Sequence, residues 1–212
     1  MLLTVFAMNA QKQIFEKPTL KNDIKEHKTI AILPFFVKIS FKKPPKNFSA
    51  EGNKAEELKM AKSIQSSMYT YLLRKGDKYT VGFQDVDKTN IMLRKAGILD
   101  KLEEMTKDEI AQILGVDAVI SGSFETEQTK SEAGAIATTV LLGGFGGKTG
   151  SGSLTMMLHN GSDGDLLWRF FKTMDDNIAT STDDIVESMM RKVSRNFPYS
   201  EEYVCFKCFQ GC

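Results

Sequence analysis

Apolar residues at Ala55, Leu58, Ala61, Ile64, Met68 and Leu72 recur three and four positions apart, the period of a single helical stripe. They predict a helix over residues 53–75 lying against a sheet, with Gly76 as its stop. Upstream, residues 29–37 (TIAILPFFV) form an unbroken run of β-forming residues, the mark of a strand buried on both faces. Pro34 has no N–H to donate, so the ladder is expected to break or bulge there. Residues 42–52 read as a loop, 79–83 as a short strand and 86–96 as a helix ending at Gly97. Thr106 and Glu109 have the spacing of a capping box for a helix over Lys107–Leu114, closed by Gly115. A third strand over 117–124 carries Ser121, Gly122 and Ser123, small enough to let a neighbour pack close.

Further on, Leu154, Met156 and Leu158 alternate with Thr155, Met157 and His159, the period-two pattern of a strand with one core face. Residues 160–165 turn, and 166–173 return with Leu166, Trp168 and Phe170 on one face. Ser181 and Asp184 cap a last helix whose stripe is Ile185, Val186, Met189, Met190 and Val193, ending before Pro198. The order is β-α-β-α-α-β, insertion, β-β-α. It predicts an α/β (α+β) domain in which helices pack on a mixed sheet of about five strands. No internal repeat is present.

Composition adds little to this. A chain of 212 residues with 42% hydrophobic and 26% charged positions suits one well-buried domain with extensions. The net charge of +1 exerts no global pull on nucleic acid, and no basic–aromatic alternation marks a nucleic-acid partner. Charge is nevertheless uneven: residues 11–50 hold nine Lys/Arg against three Asp/Glu. Lys42, Lys43 and Lys46 cluster there, read as a solvated loop in preference to a phosphate or lipid-headgroup contact. Residues 1–10 (MLLTVFAMNA) are uncharged and mostly apolar, the pattern of a secretory-signal remnant, with a buried amino-terminal strand as the alternative. The expected organisation is a signal remnant at 1–10, a polar lead-in at 11–27, one domain at 28–198 and a cysteine-containing tail at 199–212. A glycine-rich insertion interrupts the domain at 126–152.

The segments KTIAILP (28–34), LGVDAVISGSF (114–124) and LTMMLHNGSDGDLLWRF (154–170), in this order, resemble a group of bacterial envelope proteins. The group comprises the curli-secretion-channel (CsgG-like) family and relatives of the TolB amino-terminal domain. Its members share an early "IAVLPF" strand, a Leu-Gly then Val-Asp entry to a strand, and a hairpin ending in Leu-Trp. The likeness spans residues 28–195. It implies an exported, non-enzymatic component of the periplasm or outer-membrane periphery. In the channel-forming members, the segment between the third strand and the hairpin inserts into the membrane, and residues 126–152 lie at that place.

Other chemistry is weaker. GGFGGKT (143–149) is one residue short of a phosphate-cradling loop, since the required first glycine falls on Leu142. A nucleotide-binding or hydrolytic factor using Lys148 and Thr149, with Asp175, is therefore the alternative, not the preferred reading. Cys205, Cys208 and Cys212 supply only three of the four ligands of a zinc site. One disulfide with a spare thiol is the simpler account. Asp183 and Asp184 suit the first turn of the last helix. His27 and His159 are isolated, and Trp168 reads as core. No catalytic residue and no cofactor are expected. The insertion's apolar residues Ile136, Val140, Leu141 and Phe145 are the candidates for assembly with protein partners, for self-association, or for outer-membrane contact. A periplasmic small-ligand binder is the further alternative.

Overall fold

A computed structural model describes residues 13–44, 46–128, 150–174, 187, 190, 191, 193 and 196–200. Seven strands form one mixed sheet: β1 (Gln13–Glu16), β2 (Thr29–Ile32), β3 (Phe36–Phe41), β4 (Gly82–Phe83), β5 (Ala118–Gln128), β6 (Gly150–Asn160) and β7 (Leu166–Met174). Four helices accompany it: α1 (Leu20–Asp23), α2 (Ala50–Leu73), α3 (Val86–Lys95) and α4 (Lys107–Leu114). The spatial order is β1-β7-β6-β5-β2-β4, with β3 also paired to β5. β2 and β3 lie parallel to β5, whereas β6 and β7 complete an antiparallel meander.

The expected mixed sheet is present, with two strands more than the apolar pattern announced. β1 arises in the polar lead-in, where Ile14 and Phe15 pair with Phe170 and Arg169 on β7. The second addition comes from Pro34, which splits the predicted run of 29–37 into two strands, both parallel to β5. Residues 79–83 shorten to the two-residue β4 preceded by a 3₁₀ turn, because Tyr79 bridges to Ser200 instead of joining the ladder.

The sheet buries both faces. On one, α2 sets Ala61, Ile64, Met68 and Leu72 against Ile30, Ile32, Ile120, Leu158, Trp168 and Phe170. Met190 and Val193, both helical and fully buried, belong to the same cluster. On the other face, Leu93 of α3 and Ile110, Ala111 and Leu114 of α4 cover Ala31, Leu33 and Val119. The capping box on α4 forms as the spacing requires, and Gly115 ends the helix at φ 63°.

The predicted α2 stripe fails in its first two turns. Leu58 is 50% exposed and Ala55 lies outside the core. There the helix passes β3, which among the described residues pairs with β5 alone, and what it presents is polar. The Ile39 N–H donates to Glu57 Oε1 at 2.9 Å, while Asn53 Nδ2 donates to the Ile39 carbonyl at 3.1 Å. This pair occupies the outward peptide groups that would otherwise invite strand addition. The double variant Asn53→Ala/Glu57→Ala should therefore gain concentration-dependent self-association while remaining folded. Sedimentation velocity over a hundredfold concentration range checks this, and an unchanged monomer fraction would contradict it.

Candidate assembly site

β5 and β6 keep one antiparallel register over their whole length, from Ala118 opposite Asn160 to Gln128 opposite Gly150. Eleven residues of strand reach about 36 Å. Both ends of the predicted insertion are thus strand. Residues 126–128 pair with 150–152, and 129–149 join the two at one end of the sheet. β3 ends there too, with Phe41 opposite Gln128, and so does β7, with Met174 opposite Gly152.

The loop that leaves β3 at this end presents Lys42, Lys43 and Lys46, all exposed. Phe48 is 45% exposed and packs edge-on against Phe41, with centroids 5.6 Å apart. On the sheet face that also carries α3 and α4, Lys38 stands opposite Glu125, and Ser40 Oγ donates to the Thr126 carbonyl at 3.1 Å. Phe36 and Phe15, 38% and 47% exposed, flank this face. This end of the sheet therefore carries charged, hydroxylated and aromatic side chains side by side.

The opposite end of the sheet gathers the motif residues of the resemblance. Asp117 Oδ2 accepts from the Lys28 and Thr29 N–H groups, each at 2.8 Å. Burial pushes its carboxyl up, but these two bonds, with His27 and Lys28 nearby, outweigh it and hold it below the ordinary value. The Gly161 N–H donates to the Asp117 carbonyl at 2.8 Å, and a Cβ on Gly161 would stand 2.7 Å from that oxygen. Gly164, at φ 74°, turns the hairpin against Asp108 of α4. Val-Asp and Asn-Gly-Ser-Asp-Gly therefore dock one hairpin turn on one strand entry. Their roles here are structural.

His27 joins this cluster, although nothing in its sequence surroundings marked it. Its Nδ1 lies 2.6 Å from the Tyr199 hydroxyl and its Nε2 lies 3.2 Å from Asn160 Oδ1. His159 sits on the α4 side of β6, where burial foremost and Lys107 secondarily push it down to about 4. Trp168 is fully buried, stacked on Phe170 and edge-on to Phe197, as core. The predicted pairing of Leu166 with that face does not occur. A bulge between Leu158 and His159 turns Leu167 inward in its place.

Ile136, Val140, Leu141, Phe145, Lys148, Thr149, Asp175, Asp183, Asp184, Cys205, Cys208 and Cys212 lie outside the described residues. Among the described residues, no group of three or more His, Cys, Asp or Glu side chains is placed to hold a metal ion. No described helix is long and apolar enough to cross a membrane.

No protein-family model matches the chain, and no curated protein sequence matches it. Among solved structures it is similar to the lipoprotein GNA1162 from Neisseria meningitidis, at 13% identity and a TM-score of 0.44, over 80% of this chain and 98% of that one. It is also similar to the PelC dodecamer from Paraburkholderia phytofirmans, at 14% identity and a TM-score of 0.41, over 91% and 99% of the two chains. The C-terminal domain of LpoB from Escherichia coli aligns at 11% identity with a TM-score of 0.33, over 74% and 93%.

Proposed function

We propose that this chain is an exported, non-enzymatic component of the cell envelope that binds or assembles with protein partners, or with copies of itself, through residues 126–152. The observation that carries the reading is the unbroken β5–β6 register, which holds both ends of that segment at one end of the sheet. A glycine-rich stretch costs ordering entropy and adds little core, so its retention on so regular a mount favours a contact role over a stabilising one. The finer kinship, with the curli-secretion-channel family and the TolB amino-terminal domain, rests on the order of the sequence motifs. Within the segment, Ile136, Val140, Leu141 and Phe145 are the contact residues, and the outer-membrane periphery is the place of action.

The test replaces residues 129–149 with Asn-Gly, a two-residue turn that suits the directly opposed Gln128 and Gly150. The shortened protein should keep its secondary structure and thermal midpoint. It should lose the higher-order species seen by light scattering for the parent, or the envelope partner captured by crosslinking. Unfolding of the shortened chain, or assembly that survives the replacement, would defeat the proposal. Fractionation of cells making the natural precursor tests the location: recovery in the cytosol alone would refute export.

A further inference from the structure

The contact between His27 and Tyr199 spans 172 positions of sequence and ties the entry to β2 to the far end of the described chain. Its chemistry is fixed by its neighbours. Asn160 Nδ2 donates to Ser162 Oγ at 2.8 Å, so Asn160 turns its carbonyl oxygen towards His27. A carbonyl only accepts, so His27 Nε2 carries the proton. In the neutral ring Nδ1 is then an acceptor, and the Tyr199 hydroxyl is its donor.

Residues 197–200 are buried throughout. The Tyr199 carbonyl accepts from the Thr80 N–H at 3.0 Å, and Phe197 packs edge-on against both Trp168 and Tyr79. We propose that His27 is a proton-operated latch: neutral, it fastens residues 197–200 to the domain, and protonated, it lets them go. A proton added at Nδ1 makes that nitrogen a donor, and the Tyr199 oxygen can accept from it only by turning its own O–H away from the ring. The buried Tyr199 hydroxyl then loses the acceptor it now has, and an unsatisfied buried O–H is costly.

The groups that face the ring act in both directions. Burial opposes its protonation, while the Asn160 oxygen, Asp117 at the entry to β5, Asp23 on α1 and Asp163 in the β6–β7 turn favour it. The balance keeps the ring below its ordinary value of 6.5 and therefore neutral at pH 7. The sign follows. Fastening is complete above pH 6.5 and weakens as pH falls from there through the folded-state value. The sequence holds two histidines, and His159 stays neutral until about pH 4. The carboxylates Asp117 and Asp23 are held below 3.8, so a window from pH 7.5 to 5.0 isolates His27 from these groups.

The chain carries its own reporter, since its single tryptophan is Trp168, edge-on to Phe197. Over that window, emission from the full chain should move to the red. Protection of the Thr80 and Ser200 amides, corrected for the intrinsic exchange rate, should fall at least tenfold while that of the Leu33 amide stays constant. His27→Gln, which cannot titrate, should abolish the response, and Tyr199→Phe should show the loosened state already at pH 7.5. Three results would each overturn the latch: constant protection in the parent, an undiminished response in His27→Gln, or loss at Leu33 in step with Thr80. If His27→Gln does not fold, His27→Asn takes its place under the same criteria.

Discussion

Gly122→Val is expected to lower the unfolding free energy by about 3 kcal/mol, the upper end of the cost of overpacking a filled core. For a chain of this size that corresponds to a fall in thermal midpoint of roughly 6–12 °C. Gly122 lies in the middle of β5, and a Cβ there would fall on the Phe35 ring and 2.6 Å from the Thr155 carbonyl oxygen. Neither neighbour has room to yield. Phe35 is buried in the connection where Pro34 interrupts the run, and Thr155 belongs to the β5–β6 ladder. Relief would require moving the β2–β3 connection off β5 or breaking the β5–β6 ladder near Gly122. Urea denaturation of the purified variant provides the check, and a loss below 1 kcal/mol would mean that Phe35 is not wedged over the strand.

Asp117→Ala should cost about 2–3 kcal/mol, because two backbone donors lose a charged acceptor at once. Asn at this position keeps a carbonyl oxygen but not the charge, and should recover part of the loss. The pH dependence carries the same information. The carboxyl is held below its ordinary value of 3.8 in the folded protein, so its contribution is full above that value and disappears as pH falls through the folded-state value. The difference in stability between the parent and Asp117→Ala should accordingly shrink below pH 4. A difference that persists at pH 2.5 would assign the loss to packing and not to the charged bond.

What was legible in the sequence was what one segment decides for itself. The α4 capping box is set within four residues, and the alternation of Leu154, Met156 and Leu158 needs only the strand's own period. What escaped depends on partners far along the chain. β1 is a four-residue strand, Gln-Ile-Phe-Glu, too short to show a period of its own, and it pairs with β7. The first turns of α2 depart from the apolar stripe because Asn53 and Glu57 serve the outward peptide groups of Ile39, a demand invisible in a helical stripe. The bulge that exchanges Leu166 for Leu167 arises from pairing with β6. For the candidate site, the place of the insertion between two strands was readable, whereas the shared register that fixes both its ends required the ladder. His27 was unreadable for the same reason, since its partners stand 133 and 172 positions away.

The β5–β6 ladder also decides how the domain bears tension. Any partner that draws residues 129–149 away from the sheet pulls both strands along their own axes. β5 is bonded on its other side to β2 and β3, and β6 to β7. The load therefore runs in shear, and rows of hydrogen bonds on both flanks must yield together, not one after another. A domain loaded this way would resist a sustained tug on its tip far better than the same strands peeled from a free edge.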